Sequence, residues 1–274
     1  MKKINLVKLT QYLLLTFGAI IMVFPFYWMF ITAFKTAGEV ASAPPTWLPN
    51  QFNFDNFIKA FEMAPFGQYF INSLIITISC VCCTVFTTIL AAFAFSRLKF
   101  PGRDIFFALC IAMMMIPFEM LIITNYTTIV KLSLIDSLPA LIIPFTSSIF
   151  YTYILRNFFL SIPDSLYYSA RIDGASNWQY LWKIMVPIAK PSIVTIVLLN
   201  AIACWNSFLW PLLVTNTTTN RTLPLGLYAF ITEGGVIYER LMAAATIVVL
   251  PMIILFIFAR KYIVNGVARG GLKG

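Results

Sequence analysis

Four residues lying in apolar runs could act on a solute. Glu119 is the one acidic residue well inside such a run. A charge on a helix within a bilayer is costly and usually faces a cavity or a partner. Glu119 reads either as a group on a pathway for polar solutes or as a hydrogen-bond anchor near the outer end of its helix. Trp205, Asn206 and Trp210 cluster on a later run. Amides suit hydroxyls and indole faces suit the C–H face of a ring, the combination that binds sugars. The alternative is helix packing, with Asn206 as polar glue between helices and the indoles at a lipid interface. Trp205 and Trp210 do not share one helix face well, so Asn206 is the stronger candidate. Asn72 and Ser73 suit small-polar packing. Other chemistry is scarce. The chain has no histidine and no evident nucleophile–base set. No glycine precedes Lys-Ser or Lys-Thr at P-loop spacing, so ATP is not bound by that route and catalysis within this chain is not expected. Cys80, Cys82, Cys83, Cys110 and Cys204 all fall in apolar runs without zinc-ligand spacing and read as packing thiols. No metal site is expected.

The elements that must position these residues follow from composition. Sixty per cent of the 274 residues are apolar, 11% are charged and mean hydropathy is +0.87. A soluble chain of this size would lack the polar surface to cover itself. Apolar runs at about Tyr12–Phe34, Phe70–Phe93, Ile105–Ile123, Leu138–Leu155, Ser192–Val214 and Leu241–Ala259 each approach the roughly 20 residues a helix needs to cross a bilayer. With six spans and the N-terminus inside, fourteen of the 19 basic residues fall on the inside. The positive-inside rule then places both termini in the cytoplasm. The net charge of +9 is spread over every cytoplasmic end, which gives nucleic acid no patch to bind. The first run is longer than a signal-peptide core, and Ala41-Ser42-Ala43 lies well beyond its end, so an uncleaved first span is expected.

One polar stretch between two spans does not belong in a bilayer: Asp164 to Pro191, DSLYYSARIDGASNWQYLWKIMVPIAKP. It reads as two short helices broken at Asp173-Gly174, where glycine can take a positive φ. Ser161 is expected to cap the first, with Pro163 and Asp164 in its opening turn. Ser176 is expected to cap the second through a capping box with Gln179. Trp178, Leu181, Trp182 and Met185 are spaced as one apolar stripe. The orientation above puts this amphipathic helix–turn–helix in the cytoplasm, as a docking lever for a soluble partner.

ARIDGAS at Ala170–Ser176 followed by KIMVPIAKP at Lys183–Pro191 resembles the EAA loop of ABC importer permeases. FPFYWMFITAFK (Phe24–Lys35), NFFLSIPDSL (Asn157–Leu166), WNSFLWPLL (Trp205–Leu213) and VNGVARGGLKG (Val264–Gly274) are similar to the sugar-importer branch, in particular its MalG-like members. The motifs fall in order along nearly the whole chain. The glutamate-alanine-alanine triplet of the loop falls on Tyr168, Ser169 and Ala170, so the glutamate is absent. An aromatic ring can anchor at a partner surface without a charge, and Tyr168 is expected to replace the glutamate by packing.

The resemblance implies an all-α polytopic membrane protein with six transmembrane helices and a cytoplasmic coupling helix–turn–helix. Residues 1–274 would form a single transmembrane permease domain, with the coupling loop at about 157–191 and an external loop at about 35–68. It implies a bacterial inner or plasma membrane location. The partners implied are a second homologous permease, two ATP-binding subunits that hold ATP and Mg, and an extracellular or periplasmic solute-binding protein. The substrate implied is a sugar, of di- or oligosaccharide size. Tyr168, Ala170, Asp173, Gly174, Ala175, Trp178 and Pro187 would couple to the ATPase, and Glu119, Trp205, Asn206 and Trp210 would line the pathway. In the external loop, Phe57, Ala60, Phe61 and Met63 could lie at the membrane interface or meet the binding protein. The glycine-rich basic tail, Asn265–Gly274, would run along the ATP-binding subunits. The rival readings are an ion-coupled secondary transporter, for which only Glu119 offers a midplane carrier group, a membrane-embedded scaffold, and an importer of a polyol or glycerophosphate.

Overall fold

A computed structural model describes residues 6–232 and 235–271, with 6, 232 and 258–271 described by backbone only. The elements in chain order are α1 (Leu6–Thr32), α2 (Ala37–Val40), α3 (Asp55–Met63), α4 (Phe66–Arg97), α5 (Arg103–Met114), α6 (Phe118–Lys131), α7 (Leu138–Ile142) and α8 (Ile149–Leu160). They continue with α9 (Asp164–Ile172), α10 (Asn177–Tyr180), α11 (Val186–Ile188), α12 (Lys190–Trp205), α13 (Leu209–Val214) and α14 (Leu223–Gly226). A two-stranded hairpin, β1 (Ile231–Thr232) and β2 (Gly235–Val236), precedes α15 (Tyr238–Gly271). The fold is all-α apart from this hairpin.

Among the described residues, three helices are long and apolar enough to cross a membrane: Val7–Thr32, Phe66–Arg97 and Tyr238–Ile257. The other three expected spans are broken. Arg103–Met114 and Phe118–Lys131 meet at 97°, Leu138–Phe145 and Ile149–Leu160 at 42°. In the fifth, α12 stops at Trp205 and α13 restarts at Leu209, so the run Ser192–Val214 is not one helix. The third bent pair is Asn177–Ile188 with Lys190–Trp205, at 78°, and counting each bent pair as one span gives up to six among the described residues.

Proline accounts for the first break. Ile116 precedes Pro117 and is steered away from helical ψ, and Pro117 takes ψ 143° before α6 begins. The second break survives because neighbours claim its carbonyls, as apolar surroundings require. On α4, Thr84 donates to Phe145 O at 2.7 Å and Thr87 to Thr146 O at 2.9 Å. Trp210 Nε1 donates to Ala140 O at 3.0 Å.

The chain forms two compact units, residues 1–66 with 226–251 and residues 67–225 with 252–274. In the first, Asn56 of α3 donates to Ala33 O and Lys35 O at 2.9 and 2.8 Å, closing the end of α1. Phe57 packs on Phe34 and Ala60 is fully buried, whereas Phe61 is exposed. The expected interfacial set is therefore split between a core and a surface. Lys35 is buried, its ammonium 4.4 Å from the Trp28 ring centroid and donating to Thr46 O. In the second unit, one core joins α4, α8, α9 and α12 through Ile89, Phe93, Leu155, Phe159, Ala170, Tyr180, Met185 and Ile196. Another gathers Ile76, Cys80, Ile129, Leu141, Trp210 and Val214.

Candidate functional site

The polar stretch folds as the two-helix turn that its sequence implies. α9 begins at Pro163, whose ψ of 137° presets the entry, with Asp164 in the first turn. Ser161 does not cap it. It ends α8 instead, its hydroxyl donating to Phe158 O at 2.7 Å. The preceding helix, which must also close its C-terminus, takes the serine first. α9 closes in a Schellman motif: Gly174, at φ +81°, donates to Arg171 O, and Ala175 donates to Ala170 O at 2.9 Å. Asp173 is the exposed residue just before the glycine. Arg171 adds a bond from Nη1 to Ala175 O at 3.0 Å. Ser176 then starts α10 with both bonds of its capping box to Gln179, 2.9 and 3.2 Å.

The expected stripe is reshaped by a π turn over Leu181–Met185, in which Val186 N–H reaches back to Leu181 O. The turn falls just before the exposed Pro187, which has no N–H to continue an α-helical ladder. Tyr180, Leu181 and Met185 become core, while Trp178 turns outward against the edge of Trp182. Tyr167 ties the two helices by donating to Asn177 Oδ1 at 3.0 Å and packing on Tyr180. With Ala170 and Tyr167 facing inward, the turn leaves large apolar side chains uncovered: Tyr168 (57% exposed), Trp178 (58%) and Ile172 (86%). Ile172 carried no signal of its own in the sequence, but it stands one helical turn after Tyr168.

The residues read as lining a pathway do not share one surface. Glu119 is exposed in the first turn of α6, beside the Pro117 break, where a carboxylate suits the helix N-terminus. Asn206 is exposed at the end of α12. Trp205 is buried edge-on to Phe70, and Trp210 is buried against Phe118 and Phe145. Of the four, only Trp210 lines the cavity between α4, α7, α12 and α13, a space of about 120 Å³. Asn200, Thr222, Ser207, Cys80 and Cys204 line it too. Asn200 and Thr222 are buried, and among the described residues Asn200 Nδ2 and Thr222 Oγ1 have no hydrogen-bond partner. Asn200 has a sequence signal, a lone amide in an apolar run. Thr222 has none, since its place depends on a loop folding back. That loop is held by Asn72, which donates to Thr219 O and Arg221 O, by Ser73, which accepts from Leu223 N–H, and by Asp136, which accepts from Asn216 and Thr217 N–H. Burial raises the Asp136 pKa, but the bonds from Thr217, Asn216 and Asn220 outweigh it and hold the carboxyl below the usual range. The side chains of Asn265–Gly274 lie outside the described residues; the backbone of α15 stays helical to Gly271.

Comparison with known proteins now bears on this arrangement. Residues 84–269 match the family described as binding-protein-dependent transport system inner membrane component. The chain is 34% identical over 268 residues to the arabinooligosaccharides transport system permease protein AraQ of Halalkalibacterium halodurans, covering 95% of this chain and 96% of that one. It is 34% identical to the diacetylchitobiose uptake system permease protein DasC of Streptomyces coelicolor, covering 92% of each. The crystal structure of a bacterial ABC transporter that imports the acidic polysaccharide alginate superposes with a TM-score of 0.84 at 24% identity, over 96% of this chain and 98% of that one. That likeness shows the fold. The extent of the family match and of the relatives' coverage settles the assignment: this chain belongs to the binding-protein-dependent transport permeases, the membrane components of ABC importers.

Proposed function

We propose that the chain is one half of a sugar-importing pathway and that the α9–α10 turn is its cytoplasmic contact with an ATP-binding subunit. The observation that carries this reading is the turn itself. Its backbone is closed by its own hydrogen bonds, yet Tyr168, Ile172 and Trp178 stand exposed on a segment too polar for lipid. A rigid turn with uncovered aromatic and aliphatic side chains suits a protein groove. Tyr168 and Trp178 supply contact area. Gly174 with Ala170 and Ala175 shapes the turn, Asp173 closes α9, and Pro187 sets the π turn that rotates Trp178 outward.

A second, homologous permease completes the pathway, two ATP-binding subunits hold ATP and Mg, and a solute-binding protein delivers substrate from outside. Both termini and the turn lie in the cytoplasm of a bacterial cell, following the distribution of basic residues. The whole chain acts as one permease domain. ATP binding draws the ATP-binding subunits together, the turn moves with its subunit, and the spans swing from inward-open to outward-open. The solute is a di- or oligosaccharide, as the names of the 34% identical relatives suggest. Glu119, Asn206, Trp205 and Trp210 remain the pathway set, and Asn200 joins them. A second solute class stays in play because sn-glycerol-3-phosphate permeases named UgpE, from Yersinia species, match over 93% of this chain at 28% identity.

The test is to purify the complex with its binding protein and measure ATP hydrolysis against a panel of oligosaccharides, polyols and glycerophosphates. Stimulation by an oligosaccharide is the expected result. Stimulation by glycerophosphate alone would replace the sugar, and a complex without an ATP-binding subunit would overturn the coupling reading.

A further inference from the structure

Two arginines at the ends of α4 and α8 carry a role that their sequence positions do not reveal. Arg97 ends α4, and its side chain is only 5% exposed. Its Nη2 donates to Phe159 O, at 2.8 Å, and to Ile162 O, at the C-terminal end of α8. Its Nη1 pairs with Asp164 in the first turn of α9. Arg156, on α8, does the converse. Its Nε donates to Phe95 O in the last turn of α4 at 3.1 Å. Its guanidinium lies 4.0 Å from the Phe107 ring centroid on α5 and 3.6 Å from Asp104. Each helix thus sends an arginine to cap the other's terminal carbonyls, groups a helix end leaves unpaired and partly negative. Each arginine also holds a further helix, α9 in one case and α5 in the other.

We propose that Arg97 and Arg156 form a reciprocal clamp that makes the first helix of the coupling turn move as one body with the ends of α4, α5 and α8. The inference rests on the reading of α9–α10 as the coupling turn, and it names the residues that pass displacement of that turn to the spans. Arg97 and Arg156 are positioning residues: they touch neither ATP nor solute. The chemistry demands arginine at position 97. The guanidinium serves three acceptors on two elements through a planar fork, and a lysine ammonium, a compact point charge, cannot match that geometry. Asp164 adds a charge-assisted bond at the N-terminus of α9, where a carboxylate is favoured in any case. Core packing through Ala170 and Tyr180 holds the turn to the same helices. Loss of the clamp should therefore loosen the linkage rather than unfold the segment.

The experiment uses the assembled transporter with its five cysteines replaced. Spin labels at Ser169 on α9 and at Lys99 just beyond α4 report the separation of the two elements, and ATP hydrolysed per solute imported reports coupling. The expected parent result is one narrow distance distribution, unchanged by ATP. Arg97→Gln should broaden it and raise the ATP-to-solute ratio above the parent value. Arg97→Lys should fall between the two. A purely structural role would lower the yield of complex while leaving both readouts as in the parent, and that outcome overturns the proposal. If Arg97→Gln does not assemble, Asp164→Asn gives the decision: a smaller change in the same direction supports the clamp, and no change sinks it. Cross-linking from Trp178→Cys to the ATP-binding subunit tests docking separately. Its absence in the parent would remove the docking reading, while the distance measured in nucleotide-free protein would still judge the clamp.

Discussion

The α9–α10 turn and the cavity beside Trp210 are incomplete in opposite ways. At the turn, the backbone is closed by a Schellman motif and a capping box, while Tyr168, Ile172 and Trp178 are left uncovered. In the cavity, apolar groups are enclosed, while Asn200 Nδ2 and Thr222 Oγ1 are buried without partners. Uncovered apolar area on a segment too polar for lipid suits a protein surface that excludes water. Orphaned donors are completed by water or by hydroxyls, and about 120 Å³ has room for about four waters. The difference suits the turn to the protein contact proposed for it and the cavity to small polar groups.

The largest expected effect is at the turn. Gly174→Val places a β-branched residue at φ +81°, and strain of about 1–3 kcal/mol should deform the Schellman closure. No atom lies within 4 Å of the added Cβ, so the strain comes from the backbone alone. Solute uptake should be lost while the spans remain inserted, and Gly174→Asn, which tolerates this conformation better, should recover part of it. Normal uptake by the valine variant would show that the turn need not be rigid.

Next comes the uncovered face. Tyr168→Ala should weaken assembly with the ATP-binding subunit by about 2 kcal/mol, the scale of an aromatic hot spot, whereas Tyr168→Phe should be mild. The loss should depend little on salt, because no exposed ion pair is being screened. Improved coupling in Tyr168→Glu would mean that the turn needs the charge it lacks.

In the cavity, Asn200→Leu removes an orphaned amide in favour of apolar bulk. Thermal stability should hold or rise slightly, and uptake should fall. A variant that is less stable with unchanged transport kinetics would reduce the site to packing. The smallest effect concerns the loop that carries Thr222. The folded-state pKa of Asp136 is lowered, so its stabilising contribution is present above the unfolded value of about 3.9. It is lost as pH falls through the lower folded value. Asp136→Asn should remove this acid sensitivity of the loop, read by proteolysis at graded pH, and leave the α9–α10 turn unaffected.

Legibility followed the range of the forces involved. The Ser176–Gln179 box and the positive φ at Gly174 are satisfied within a few residues, so the sequence carries them whole. Ser161 could cap either of two helix ends, and it closes α8 rather than opening α9. The apolar stripe was disturbed by a π turn that only a proline several residues on could foretell. The breaks in the long spans depend on partners far away in the chain, such as Thr84 and Thr87. The cavity needs a folded-back loop to bring Thr222 near Asn200, and the arginine clamp needs α8 beside α4. Arg97 and Arg156 registered in the sequence only as inside-facing charges.

The small polar side chains on α4 have one more consequence. Ser73, Cys80, Thr84 and Thr87 recur at spacings of seven, four and three, so they form one line along the helix. All four are bonded to backbone on two other segments: Ser73 accepts from Leu223 N–H, while Cys80 donates weakly to Leu141 O and Ile142 O, Thr84 to Phe145 O and Thr87 to Thr146 O. Spinning α4 about its own axis would strip all of these bonds together, whereas tilting it along with its neighbours would strip none. The helix behaves as a keyed shaft. It can lean or shift with the bundle, but its angular setting is fixed, and any gate built on it must open by tilt rather than by twist.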